Sequence, residues 1–502
     1  MTNDPKTTRG QWAALIAAFL GWLFDGFEMG LFPLVGHPAL HDLLPSGSEG
    51  EAGQWMGIIH AGFLVGAATG GVVFGWLGDR LGRVRAMALS ILTYALFSGL
   101  CGFAQNPTQL LILRVIASLG MGGEWSLGVS LVMEAWPSKS RGWLAGLIGA
   151  ASNIGFVLVA LLGMGLNQVV GAMDGLLRST GLPESTVSML MANGGWRILM
   201  MCGALPAILT FIIRIFVPES EKWEAENEQG RTSNWATGDL VGVLLGTMGP
   251  IGILYLWAAN IQINPWVRIG GTLLGLIIAV IGYLYPVTRY LQRVESQGVV
   301  RGAGGRSVRS LMLWGAVLSG VALLGTWGSV QWAAAWAAEL TKNTGGTNAK
   351  EYTQIALGLG AIVGTIAAAM VGHTFGRRIT YFGLCVLSLA TAQLFFRTND
   401  VYGTWFLFTG FLAGAMTAAF YGWLPLYLPE LFPTSVRATG QGFAFNFGRI
   451  LAAVGTLQTG ALMKDYFNGS YAQACGVMSF IYVAGMIAIW FVPETKNEDI
   501  LA

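Results

Sequence analysis

The sequence predicts an all-α membrane protein: two six-helix bundles plus two extra central helices, fourteen transmembrane spans in all. Three observations carry that expectation. The chain has 502 residues, 54% of them hydrophobic and only 11% charged, with 72 glycines and 19 tryptophans. No soluble core absorbs so much apolar surface, whereas a polytopic helical membrane protein requires it. Apolar runs of the ~20 residues that one crossing needs recur along the whole chain. Finally, three short motifs of the first half return in the same order in the second, which indicates a duplicated unit.

Taken in order, the candidate spans are 11–34, 53–77, 86–104, 108–135, 142–167, 196–217, 240–260, 266–286, 311–338, 353–372, 379–397, 404–428, 438–461 and 474–492. An even count returns both termini to one side, expected to be cytoplasmic. Lys6, Arg9, Arg80, Arg83, Arg85, Lys139, Arg141, Arg289 and Arg293 then face the cytoplasm, and few basic residues face the other side. The domains read as 1–223 (first bundle), 224–310 (linker with the two extra helices) and 311–502 (second bundle). The extra helices are apolar all round, with Gly249-Pro250 as a kink. They are read as peripheral scaffolding, with gating as the alternative.

Segments 35–52 and 168–195 are read as outer loops, with a short helix near Pro183–Met191 because proline suits a first helical position. His37 and His41 have the spacing of a metal pair on a helix. Pro38 separates them and no third ligand is clearly placed, so a surface pair without metal is expected. Cys101, Cys202, Cys385 and Cys475 lie inside apolar runs, which suggests buried thiols and no disulfide framework. No cleavable signal peptide is expected, since the first apolar run contains Asp25 and Glu28 and lacks a cleavage-type end.

The first repeated motif is the link Gly75-Trp-Leu-Gly-Asp79-Arg80-Leu-Gly-Arg83-Val-Arg85, answered by Gly372-His373-Thr374-Phe375-Gly376-Arg377-Arg378. So short a link turns two spans back on each other. Asp79 follows a helix C-terminus, where the carbonyls are partly negative, so it needs cationic partners such as Arg80 and Arg83. The second motif pairs Glu134-Ala-Trp-Pro137 up to Arg141 with Glu430-Leu-Phe-Pro433 up to Arg437. The third pairs Phe216-Val-Pro-Glu219 with Phe491-Val-Pro-Glu494. Asp79, Arg80, Arg83, Glu134, Arg141, Glu430 and Arg437 are candidates for a gating latch; the plainer reading is that such charges only set topology.

Charge at mid-bilayer is unfavourable by a few kcal/mol even on lenient scales, so the residues that bear it are functional candidates. Asp25 and Glu28 stand one turn apart on the first span. Two carboxylates that close in a dry site do not both stay ionised, which suits a proton carrier. The alternative is a carboxylate permanently paired with an arginine. Arg114, Glu124 and Glu134 share the span 108–135 at ~15 Å steps, so each needs partners on other helices. Gly120, Gly122 and Gly123 permit close packing just before Glu124. Arg449 lies midway along 438–461 and requires an anion, either a protein carboxylate or one of the substrate. Asn153 occupies the matching place in the first half. Gln331 and Asn446 add hydrogen-bonding groups, and Trp327, Trp332, Trp336, Tyr421 and Trp423 offer aromatic walls.

The Asp79 loop resembles the link between helices two and three of the major facilitator superfamily. With Gly21-Trp-Leu-Phe-Asp25-Gly-Phe-Glu28, Gly120-Met-Gly-Gly-Glu124-Trp and Glu134-Ala-Trp-Pro137, nearly the whole chain is similar to sialic acid:proton symporters and related metabolite and aromatic-acid:proton symporters. That resemblance implies alternating access, two additional central helices as in the sialic acid symporters, and carboxylate substrates. It implies proton coupling at Asp25 and Glu124, with Glu28 where relatives often carry Asp, and matches Arg114 to an arginine of the fourth helix. Ser118 and His373 depart from the pattern, and Arg449 is more similar to the metabolite symporters.

The expected function is proton-coupled symport of a small organic anion, a sugar acid such as sialic acid or an aromatic acid. Asp25, Glu28 and Glu124 are the proton-coupling candidates. Arg114, Asn153, Gln331, Tyr421, Asn446 and Arg449 are the substrate-binding ones. The alternatives are an exporter or uniporter of the same fold, and a non-transporting membrane sensor. An enzyme is not expected, since no nucleophile–base set or phosphate loop stands out. The expected partners are substrate, protons and the lipid bilayer of the cell's inner membrane, with no nucleic acid, metal or cofactor, and the expected state is a monomer.

Overall fold

The computed structural model of the chain describes residues 9–45, 51–206, 208–209, 213, 216–258, 263–294, 300–343 and 348–496. The first part comprises α1 (Arg9–Leu43), α2 (Ala52–Leu81), α3 (Arg83–Leu100), α4 (Pro107–Ala135), α5 (Arg141–Met164), α6 (Leu166–Ser179), α7 (Glu184–Met201) and the short α8 (Glu221–Glu228). A central hairpin follows, α9 (Leu240–Ala258) and α10 (Pro265–Val294). The last part holds α11 (Val308–Trp327), α12 (Ala333–Thr341), α13 (Ala349–Phe375), α14 (Arg377–Arg397), α15 (Thr404–Thr417), α16 (Phe420–Leu431), α17 (Arg437–Asp465), α18 (Tyr471–Met478) and α19 (Ile481–Ala488).

Among the described residues, twelve helical stretches are long and apolar enough to cross a membrane. The expected count of fourteen is therefore corrected. Span 438–461 forms part of the 29-residue helix α17, but Thr439, Gln441, Asn446 and Arg449 make it too polar to qualify on composition. Those side chains are buried inside the protein. Span 196–217 begins after a break in α7, where Asn193, Gly194 and Gly195 have φ of 49°, 76° and 66°. Residues 207, 210–212 and 214–215 of it lie outside the described residues, as does Lys6.

Two other expectations need correction. The presumed outer loops are largely helical: α1 runs through Pro33 and Pro38 to Leu43, and 168–195 contains most of α6 and the start of α7. The helix expected near Pro183 does begin at Glu184. Of the four free thiols, Cys101, Cys385 and Cys475 are buried, while Cys202 is only half-buried.

Within the first half α4 packs on α2 and α3, and α1 packs on α5; in the second, α17 packs on α11 and α13 on α15. The halves meet along α2 against α17 and α5 against α13. The hairpin lies against α2, with fewer contacts to α17. Thr69 Oγ1 and the Tyr283 hydroxyl are 2.8 Å apart and tie α10 to α2. Only 28% and 22% of the hairpin's most apolar stretches are buried, against 78% for α2. The hairpin is thus peripheral, and its apolar faces look outward.

The repeated motifs build one device twice. Gly82 and Gly376 have φ of 109° and 112°, a backbone that favours glycine. Each joins two long helices with a one-residue link. Glu219 accepts from the backbone N–H of Arg83 at 2.8 Å and of Val84 at 3.1 Å. Glu494 accepts from those of Arg377 at 2.9 Å and Arg378 at 3.0 Å. Both carboxylates thereby satisfy orphan donors at a helix start. Burial pushes the Glu494 carboxyl up, but the N–H groups of Arg377, Arg378 and Lys496 outweigh it and hold it below its usual range.

Candidate functional site

A cavity with about 1070 Å³ of empty space, open solvent included, lies between the halves. Its aromatic walls are Trp22, Phe156, Trp327, Tyr421 and Phe445, and its polar lining includes Asn153, Thr326, Gln331, Gln354 and Arg449. The N-terminus of α1 sits at the Asp79 end, where Gln11 Nε2 donates to Ala135 O at 2.7 Å beside Glu134. Trp22 is then ~20 Å and Met29 ~30 Å along the helix. The cavity therefore starts near mid-thickness and extends away from Asp79.

Asp25 and Glu124 lie just behind that wall, 0% and 2% exposed. They come together because Gly21, one turn before Asp25, has no side chain: a Cβ there would sit 1.6 Å from Glu124 Oε1. The two carboxyl groups are close enough to hydrogen-bond each other once one carries a proton. Among the described residues, no donor reaches any of their four oxygens. Arg449, 3% exposed, is a cation in electrostatic reach of Asp25. Its Nη1 has no hydrogen-bond partner among the described residues, and its guanidinium lies 5.7 Å from the Phe445 ring centroid. A buried guanidinium at a cavity wall has the charge and the donor to bind an anion.

Glu28 goes elsewhere. It forms an ion pair with Arg114 and accepts from Ser98 Oγ at 3.0 Å. Arg114 is held between the rings of Phe32 and Phe63, 4.5 Å and 4.7 Å from their centroids, and is not part of the cavity lining. Asn153, Gln331 and Tyr421 do line the cavity. Asn446 does not; its Nδ2 donates to Gly122 O at 2.9 Å across the α4–α17 contact. Of the other aromatic candidates, Trp336 packs among Phe395, Phe396 and Phe406, Trp332 near Tyr471, and Trp423 against Tyr381 and Tyr427.

At the Asp79 end, charges cross between the halves. Arg83 donates to Asp79 at 2.9 Å and to Glu134 at 3.2 Å, and Arg437 from the second half donates to Glu134 at 2.7 Å. Asp79 also accepts from Ala438 N (3.2 Å), Thr439 N (2.8 Å) and Thr439 Oγ1 (2.6 Å). It thereby caps the start of α17 from the opposite half. Glu430 pairs with Arg377 at 2.5 Å, and Arg141 lies in electrostatic reach of it across the α5–α16 contact. Arg80 stays outside this cluster, donating to Thr237 Oγ1 at 2.7 Å and stacking over Trp76.

His60, outside the expected site, is an ionisable residue inside the apolar run 53–77 and to that extent readable in the sequence. Its ring lies 5.7 Å from that of Trp327, a contact between α2 and α11 on the side of the cavity away from Asp79. The stack of Phe445 on Trp125, centroids 3.9 Å apart, links the cavity wall to the helix turn that carries Glu124. No pattern in the chain announces that contact.

A family model described as "Sugar (and other) transporter" matches residues 13–237 and 308–501, passing over the central hairpin. A cis,cis-muconate transport protein of Acinetobacter baylyi is 25% identical over 492 residues, with 97% of this chain and 95% of the relative covered. A niacin transporter of the same species is 27% identical over 439 residues, covering 86% and 82%. The solved proton:xylose symporter of the major facilitator superfamily, bound to 6-bromo-6-deoxy-D-glucose, superposes with a TM-score of 0.64 at 18% identity over 97% of each chain. At that identity the likeness shows the fold.

Proposed function

This chain belongs to the sugar (and other) transporter family, and we propose that within it the protein carries a small organic anion together with a proton, by alternating access. The observation that carries this reading is the buried Asp25–Glu124 pair, which no donor among the described residues reaches, within electrostatic reach of Arg449 at the cavity. Two adjacent carboxylates in such a site do not both remain charged. When a substrate carboxylate binds Arg449, that guanidinium no longer compensates Asp25, and the pair, which already shares one proton, takes up a second. The loaded site is then close to neutral, which lowers the barrier to crossing mid-membrane.

The aromatic walls favour a flat, unsaturated or aromatic carboxylic acid over a sugar acid, and relatives named for cis,cis-muconate and niacin support that preference. Asn153, Gln331 and Tyr421 would orient it, while Asn446 and Arg114 support the site from behind. In this reading the basic Asp79 end faces the cytoplasm with both termini, the membrane is the inner one, and the protein acts as a monomer. The three-part organisation 1–223, 224–310 and 311–502 belongs to the same proposal. Asp79, Arg83, Glu134, Arg141, Glu430 and Arg437 form the inner gate, which is closed while the cavity extends the other way. Glu28 serves as a second proton acceptor whose partner is Arg114.

Uptake of labelled aromatic and sugar acids into proteoliposomes under an imposed pH gradient tests this directly. We expect accumulation that Asp25→Asn or Glu124→Gln abolishes while counterflow exchange persists. Accumulation indifferent to the gradient and to both substitutions would overturn the coupling.

A further inference from the structure

Behind α1, on the side away from the cavity, a second polar array involves a residue that the site above does not use. Ser90, Tyr94 and Ser98 lie four residues apart and so share one face of α3. Ser98 Oγ donates to Glu28, and Ser90 Oγ donates to Gly120 O on α4. Tyr94 lies between them, 1% exposed, and its hydroxyl has no hydrogen-bond partner among the described residues. Packing at this level leaves no slack. A Cβ on Gly120 would sit 2.6 Å from Tyr94 N and 3.0 Å from Tyr94 Cβ.

The helices' directions set the depth of that hydroxyl. α1 and α3 both start at the Asp79 end, so the step from Tyr94 to Ser98 runs alongside the step from Asp25 to Glu28. Since Ser98 reaches Glu28, Tyr94 stands about one helical turn lower, at the depth of Asp25 and Glu124. Its electrostatic neighbours are Glu124 on α4 and Asp25 and Glu28 on α1. The charged and titratable groups beyond these are Arg114 on α4, paired with Glu28; His60 on α2, in reach of Arg114; Cys101 on α3; and Arg449 on α17, in reach of Asp25. No residue of α3 lines the cavity. A buried phenol and a carboxyl pair in electrostatic reach of each other, both without hydrogen-bond partners among the described residues, are unsatisfied groups of complementary kind.

We infer that Tyr94 is a positioning residue for proton coupling: its hydroxyl donates to the ionised carboxylate of the Asp25–Glu124 pair and joins that pair to Glu28. A proton passes when a protonated Glu28 gives its hydrogen to the phenol oxygen as the phenol hydrogen moves to the carboxylate. One O–H forms as each breaks, and the phenol ends neutral. Protons thus travel on the first half's side of α1, apart from the substrate. The inference rests on the proton-coupled reading above.

The test is the pH profile of gradient-driven uptake by purified protein in liposomes. A donor to the ionised carboxylate favours that form, so its removal makes the site hold its proton to higher pH. Tyr94→Phe should move the pH of half-maximal uptake up by about one unit, with counterflow exchange within about twofold of wild type. Incorporation of 3,5-difluorotyrosine at position 94, a stronger donor of nearly the same shape, should move it down. Unchanged profiles in both, or parallel loss of uptake and counterflow in Tyr94→Phe, would overturn the inference. If wild type itself shows no gradient-driven uptake, the coupling reading has failed, and this one with it.

Discussion

Replacing Asp79 with asparagine should loosen the closed end of the protein without unfolding it. The side chain keeps its size and loses its charge. Four donors converge on the native carboxylate, and three of them, Ala438 N, Thr439 N and Thr439 Oγ1, come from the opposite half. A hydrogen bond to an ionised acceptor contributes ~1.5–3 kcal/mol net. Asparagine retains one acceptor oxygen but turns an NH2 group toward the remaining donors. A loss of ~2 kcal/mol from the closed state is therefore a restrained figure, equivalent to about a thirty-fold change in the open-to-closed ratio. Arg83 keeps Glu134, Gly78 O and Thr434 O as partners, so local collapse is not expected. The assay is maleimide labelling of Ser130→Cys in a cysteine-free background. Ser130 is 0% exposed and hydrogen-bonded to Gln441 across the seam. Labelling should accelerate roughly thirty-fold in Asp79→Asn. Equal rates in two proteins of equal melting temperature would show that Asp79 does not hold the halves together.

Three further outcomes follow from the same geometry. Glu28→Gln or Arg114→Met alone leaves a buried charge unpaired and should cost about 3–5 kcal/mol of stability, largely recovered in the double variant, as thermal unfolding in detergent would record. Gly21→Ala places a Cβ 1.6 Å from Glu124 Oε1 and should displace that carboxyl. Gradient-driven uptake should then fall at least about ten-fold, while Gly171→Ala, which meets nothing within 4 Å, leaves it unchanged. Because the folded protein holds the Glu494 carboxyl low, its stabilisation is complete above the ordinary carboxylate range and is lost as pH falls through the folded value. Glu494→Gln should therefore melt below wild type at neutral pH, by about 1 kcal/mol, and the gap should narrow in acid.

The fold was readable because its signals are local. Apolar runs, the Asp79 loop and three echoes of a few residues each lie within single elements or single turns. The charged cluster at the Asp79 end came with them, since Glu134 and Arg437 sit at fixed steps in repeated motifs. Arg80 shows the limit of local signals: its neighbours in sequence point to Asp79 as partner, whereas the linker supplies Thr237, which only tertiary structure brings near. The pairing of the acids was legible only in part: a carboxylate of the first span paired with an arginine was the readable alternative, and Glu28 with Arg114 is that pair. One turn on α1 suggested Asp25 with Glu28, yet packing gives Asp25 to Glu124 and Glu28 to Arg114. Helical spacing shows which residues share a face but not which neighbour that face meets. Span counting failed where composition and burial part company, as in α17, whose polar side chains are covered by protein.

The caps and the crossing charges divide the bonds at the Asp79 end into two kinds. Glu219 and Glu494 each bind backbone within their own half, so those bonds persist whatever the halves do. Under the alternating access proposed above, contacts from Asp79 and Glu134 to residues 437–439 would be severed and remade on every cycle. Longevity and turnover speed are consequently set by different side chains. An engineer could strengthen the first kind to make a hardier carrier, and weaken the second to make a faster one, with little interference between the two.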